Sequence, residues 1–151
     1  MEKIDTPEKM LSEWGYIVYT IKGTSMMPLL RQYRDIIEIR PKGEHRCKKY
    51  DVVLYKRGKN YILHRVLRVL PDGYIIAGDH NTFLEYDIKD EHIIGVMVRM
   101  IRDGKEISMT DKKYRLYVHL WCDFYPVRMG LLRIRRFLWR CKSYLKRSFF
   151  S

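Results

Sequence analysis

The stretch DVVLYKRGKNYILHRVLRVLPDGYIIAGDHN, residues 51–81, carries three runs of β-branched and aromatic residues: 51–56, 61–70 and 73–78. Short apolar runs of this composition, bounded by polar and turn-forming residues, are the pattern of buried strands. Pro71-Asp72-Gly73 supplies a tight turn between the last two, so they form a hairpin. One residue breaks the apolar character: His64 stands inside YILHRVL, where packing alone gives no reason for an imidazole.

Outward from this stretch the same pattern recurs. GYIVYTIK (15–22), DIIEIR (35–40) and IIGVMVRMI (93–101) read as further strands, and RDGK (102–105) turns the chain into a short EIS strand at 106–108. The polar segment 41–49 reads as a loop. Thr6 followed by Pro7 and Glu8 is a helix start, predicting a short helix to about Trp14. After residue 110 the period changes. Val127, Leu131, Ile134, Leu138, Cys141 and Leu145 recur every three or four residues, the mark of an apolar helical stripe, and Pro126 suits the start of that helix. The preceding KYRLYVHLWCDFY (113–125) fits a helix or a strand. The expected architecture is mainly β, with a body over residues 1–110, a short N-terminal helix, and a basic amphipathic helical tail over 111–151.

The chain has 151 residues, 46% of them hydrophobic, which suits one globular domain and excludes wholesale disorder. Its formal charge of +12 is uneven: residues 111–151 hold 11 Lys and Arg against 2 Asp and Glu, so +9 lies there. Cys47, Cys122 and Cys141 are odd in number and widely spaced, which argues against a disulfide framework or a zinc site and for reduced thiols. The N-terminal residues MEKIDTPEKMLSEWGY lack the basic region and apolar core of a signal peptide, and no run nears the ~18 apolar residues that span a bilayer. The expected location is cytoplasmic, with peripheral contact at a membrane surface. Residues 127–150, with Phe137, Trp139, Phe149 and Phe150 among their arginines, suit a membrane, a partner protein or the body itself. Nucleic acid is the least favoured partner, because no DNA-binding motif accompanies the charge.

Ser25 follows an apolar strand in Gly23-Thr24-Ser25-Met26-Met27-Pro28, with Gly23 permitting a close bend and Pro28 fixing the exit. A serine hydroxyl becomes a nucleophile only with a general base in reach, and His64 is the candidate. After the third strand, Asp79, Glu85 and Asp87 cluster behind a glycine, and one of them could orient the imidazole. Asp79 ranks first, Asp87 second and Glu85 third. Each feature alone is common: turn serines, half-buried histidines and self-capping acidic turns are ordinary.

Their order along the chain is distinctive. The string G-x-S-M-x-P-x-L at 23–30 resembles the nucleophile motif of type I signal peptidases, and YDVVLYK (50–56) resembles the strand that follows in that family. ILHRV (62–66) is similar to the general-base motif, with His64 where bacterial enzymes carry lysine, and GDHN (78–81) is similar to the GDN motif. The resemblance covers roughly residues 15–100 and points to the Ser-His branch. It implies a mainly β fold shared with self-cleaving SOS-type repressors, and a serine endopeptidase acting on a leader or precursor peptide. It implies Ser25 as nucleophile and His64 as base, with the Ser25 N–H in the oxyanion hole and Met26 walling the substrate pocket beside Gly23, Thr24 and Pro28. No metal or cofactor is required. The chain departs from the pattern at Gly23, where relatives carry a serine, and at His80, a second imidazole. Lys56 and Lys59 lie outside the base motif. Alternative readings are a self-cleaving regulator and an inactive module that holds a leader peptide.

Overall fold

The structure, a computed structural model, describes residues 6–148, with side chains described as far as Lys142. Residues 51–81 form three consecutive antiparallel neighbours: β3 (Val52–Arg57), β4 (Asn60–Leu70) and β5 (Gly73–Ala77). Around them stand β1 (Ile17–Thr20), β2 (Ile36–Pro41), β6 (Glu85–Ile88), β7 (Ile93–Arg102) and β8 (Lys105–Ser108). The order in the single sheet is β1-β2-β7-β3-β4-β5-β6, with β8 paired to the second half of β7. The mainly β expectation holds.

Side chains alternate across this sheet, as the two-residue period of a strand demands. Val52 and Leu54 of β3, and Leu63 and Leu67 of β4, enter one core with Leu11, Met26, Leu30, Ile37 and Met97. Val53 and Tyr55 of β3, and Val66 of β4, enter a second with Tyr74, Ile76, Ile88 and Ile93. Where β7 crosses β2 the backbones are close: a Cβ at Gly95 would lie 2.8 Å from the Arg40 carbonyl oxygen. Glycine is required there by proximity, not by conformation.

The first helix, α1 (Pro7–Trp14), starts where the sequence places it. The Thr6 hydroxyl accepts the Lys9 N–H at 3.3 Å, and Gly15 ends the helix at φ +75°. The segment that fitted helix or strand is helical: α2 (Lys112–Asp123) buries Tyr114, Val118 and Cys122, spaced four apart, in the larger core. Asp123 fastens its end, accepting Lys49 Nζ at 2.9 Å, His119 Nδ1 at 2.9 Å and the Tyr50 hydroxyl. The body therefore runs through α2, beyond the expected boundary at 110. The last helix, α3 (Tyr125–Ser148), buries only Arg128 and Leu132 among its described side chains. Its predicted stripe is turned outward, with Val127, Leu131, Ile134 and Leu138 each 58–60% exposed. The Leu145 side chain and residues Phe149 and Phe150 lie outside the described residues. No described helix is long and apolar enough to cross a membrane. Cys47 and Cys122 are free and buried, and burial pushes both thiols up to about 11.

One ion pair joins these layers. Arg65 and Asp79 are both fully buried. The guanidinium donates to both carboxylate oxygens, at 2.8 and 2.7 Å, and also to the Tyr50 carbonyl and the Tyr114 hydroxyl, each at 2.9 Å. From α2, the Tyr117 hydroxyl and Trp121 Nε1 donate to the Asp79 side chain and carbonyl at 3.3 and 3.0 Å. Burial works against the Arg65 charge, but Asp79 outweighs it and holds the guanidinium protonated. Removing one partner strands a buried charge. Asp79→Ala is expected to lower stability by about 3–5 kcal/mol in chemical denaturation, while Arg65→Met with Asp79→Leu costs much less than the single change.

Candidate active site

Ser25 lies in the loop between β1 and β2. Met26, Leu29 and Leu30 anchor that loop in the larger core, leaving Ser25 half-buried above them. The Met27 N–H donates to the Thr24 carbonyl at 3.1 Å and the Leu30 N–H to Met26 at 2.9 Å, closing two successive turns. Gly23 enters the bend at φ +91°, a left-handed value open to glycine, and donates its N–H to Gln32 Oε1 at 3.3 Å. Thr24 and Pro28 are exposed, and the Met27–Pro28 peptide is cis.

The loop closes on Asp35. Its carboxylate accepts the Arg31 N–H at 2.8 Å, Arg34 Nε at 2.8 Å and Arg102 Nε at 3.0 Å. Arg102 also donates to the Leu29 carbonyl. Burial alone would raise the Asp35 pKa, but the two guanidiniums overcome it and hold the carboxyl well below the usual range. Asp35 is a structural residue that the motif reading missed. Its only sequence signal was a pair of arginines, Arg34 beside it and Arg102 far along the chain.

Across from the loop, the β4 imidazole of His64 is buried, opposite Val53 on β3. Its Nδ1 lies 2.7 Å from Glu85 Oε1, and the Tyr55 hydroxyl stands 3.2 Å from the same nitrogen. A carboxylate only accepts, so Nδ1 carries the proton and Nε2 keeps its lone pair. Asn81 Nδ2 is 3.4 Å from Nε2, a long and weak contact. Arg57 Nη1 reaches the other Glu85 oxygen at 2.6 Å and fixes the carboxylate. Burial lowers the His64 pKa below its ordinary 6.5, more than the Glu85 charge raises it, so the ring is neutral at pH 7.

The acidic ranking is thereby corrected. Glu85, ranked third, orients His64. Asp79 is committed to Arg65, and Asp87 is exposed at φ +60° with no hydrogen bond to the imidazole. The reason is the strand period: His64 and Arg65 are adjacent on β4, so they face opposite sides of the sheet and need separate carboxylates. Among the described residues, no side chain of the other basic candidates is hydrogen-bonded to Ser25. Lys56 pairs with Glu8 at 2.9 Å, Lys59 is exposed in the β3–β4 turn, and the His80 ring has its pKa lowered by burial and by Arg135 and Arg136.

The turn at 78–81 brings the two halves together. The His80 N–H donates to the Ser25 carbonyl at 2.8 Å, and Asn81, two residues beyond Asp79, faces His64. A Cβ on Gly78 would sit 2.6 Å from the Ser25 carbonyl oxygen and 2.9 Å from Asn81 Nδ2, so glycine lets this turn lie on the Ser25 loop. Among the described residues the Ser25 hydroxyl has no hydrogen-bond partner, leaving it free for a ligand. Beside it opens a cleft of about 490 Å³, bounded by Tyr19 to Gly23, Ser25, Met26 and Tyr61 to Leu63. Both flanking strands are unpaired on this side: β1 ends the sheet, and β4 pairs with β5 only from Arg65 onward. A second cleft of about 480 Å³ lies between Lys48–Val52 and α2, away from Ser25. No group of three or more His, Cys, Asp or Glu side chains suited to a metal occurs among the described residues.

The His64 titration is a direct check. By NMR its pKa is expected below 6.5, and lower still in Glu85→Gln, because that change removes the charge that raises it while burial remains. The unfolded chain takes up this proton first. The stability that neutral His64 contributes is therefore full above pH about 6.5 and declines as pH falls through its folded pKa. No family model, curated protein or solved structure matches the chain.

Proposed function

We propose that the protein is a serine endopeptidase that cleaves a leader or precursor peptide, with Ser25 as nucleophile, His64 as general base and Glu85 orienting the base. The observation that carries this reading is the buried Glu85–His64 pair, with Nε2 left toward the 78–81 turn that hydrogen-bonds the Ser25 carbonyl. The motif order quoted above supports it independently. The open edges of β1 and β4 suit a substrate bound as an added strand, main chain to main chain.

In this mechanism Ser25 Oγ attacks the scissile carbonyl carbon while His64 Nε2 takes the hydroxyl proton. Glu85 keeps Nδ1–H in place and offsets the charge of the imidazolium. The oxyanion is held by the Ser25 N–H, and the open Gly23 and exposed Thr24 stand next to it. Collapse breaks the C–N bond, and His64 returns the proton to the departing amine. Water, deprotonated by His64, then hydrolyses the acyl-enzyme, releasing the acid product and restoring Ser25. Neutral His64 at pH 7 is the protonation state that the first step needs.

Active-site labelling tests the assignment. A fluorophosphonate probe is expected to modify Ser25 alone, read by intact mass and peptide mapping. Ser25→Ala abolishes labelling and His64→Ala slows it by about 10²-fold or more. Glu85→Ala slows it severely, whereas Asp87→Ala leaves the rate unchanged. Labelling at the wild-type rate in His64→Ala, together with an uncleaved peptide library, would replace the peptidase by the inactive leader-binding module.

A further inference from the structure

The two C-terminal helices share an outer face that the body does not cover. Leu116 and Leu120 of α2 and Phe124 just after it are 57–60% exposed, and the series continues through Val127, Leu131, Ile134 and Leu138 of α3. The intervals are four along α2, and four, three and four along α3, so each helix carries its apolar residues on one face. The opposite side holds Tyr114, Val118, Cys122, Arg128 and Leu132, all buried. Along α3 alone, Val127 to Leu138 span a rise of about 17 Å. A monomer rarely leaves so long an apolar face in water.

The flanking charge selects the occupant. Between Tyr125 and Ser148 the sequence has eight Lys and Arg and no Asp or Glu. Arg135 and Lys142 border the stripe and are exposed. A second copy would bring the same positive flanks together. A nucleic acid would meet the charges but leave the leucines and isoleucine without an apolar environment. A surface that is anionic at the headgroups and hydrocarbon just below satisfies both.

We infer that α2 and α3 form an interfacial anchor, with the Leu116–Leu138 stripe buried at the acyl boundary of an anionic membrane and the basic flanks at its headgroups. The inner side of the same helices is tied to the turn that touches Ser25, through Trp121 Nε1 and the Asp79 carbonyl. The anchor thus holds the site at a fixed height above the bilayer. This inference rests on the exposed stripe and its charge, and stands whether or not Ser25 is a nucleophile.

Sedimentation with vesicles tests it, using the full chain and liposomes of phosphatidylcholine alone or mixed with phosphatidylglycerol. Binding is expected to the mixed vesicles, weakening as salt rises. Leu131→Gln with Ile134→Gln should weaken it by at least about tenfold. Arg135→Gln with Lys142→Gln should weaken binding to mixed vesicles by about fivefold per charge and reduce the salt dependence. All four side chains are exposed, so unchanged circular dichroism and melting will separate lost contact from lost folding. No binding to mixed vesicles overturns the anchor. So does binding indifferent to Leu131 and Ile134, or a concentration-dependent dimer that these substitutions dissolve.

Discussion

The buried pair Arg65–Asp79 is the contact on which the other parts of the molecule converge. A guanidinium and a carboxylate taken wholly out of water are tolerable only when nearly every donor and acceptor is used. Satisfying them brings together β4, the end of β5, the carbonyl before β3 and two tyrosines of α2. That convergence fixes where the 78–81 turn sits, and the turn fixes the Ser25 carbonyl and the Asn81 amide. The neighbour of His64 on β4 therefore positions what faces the imidazole. Arg65 does no chemistry, but it places the loop against which His64 is aimed.

The sheet then divides labour by face. Ile62, His64 and Val66 of β4 look into the smaller core with Tyr55 and Glu85, while Leu63, Arg65 and Leu67 look into the larger one. A buried histidine with a carboxylate on Nδ1 and a poorly hydrogen-bonded Nε2 is set up as an acceptor. A merely structural imidazole would more commonly use both nitrogens well. Arg57 restrains Glu85 from outside, so the carboxylate holds a guanidinium on one oxygen and the imidazole on the other.

Much of this was legible beforehand. Strands at 51–81, the Pro71-Asp72-Gly73 turn, the Thr6 cap and the helical period of α3 follow from local patterns that tertiary packing did not override, whereas the outward direction of its stripe was not legible. The choice of carboxylate was not legible. Asp79 and Glu85 lie six residues apart in an irregular segment, and chain position alone does not say which side of the sheet each will face. Knowing that Arg65 needs a buried counter-ion on the side away from His64 would have separated them. The helical α2 escaped because its inner positions are Tyr114, Val118 and Cys122, while its outer face carries Leu116 and Leu120, so both faces read as apolar. Asp35 was invisible for a different reason: its partner Arg102 comes 67 positions later.

The unpaired edge of β1 has a consequence for the protein in concentrated solution. Val18 and Tyr16 there are about half exposed, and the strand offers free backbone donors and acceptors to any extended chain. A second molecule's β1 is one such chain, so crowding sets self-association against occupancy of the cleft. The +12 charge opposes that encounter by mutual repulsion at low ionic strength, and salt withdraws the protection once the screening length falls to about 8 Å or less. Solubility in this molecule is thus a matter of electrostatic distance between copies, governed by the buffer as much as by the fold.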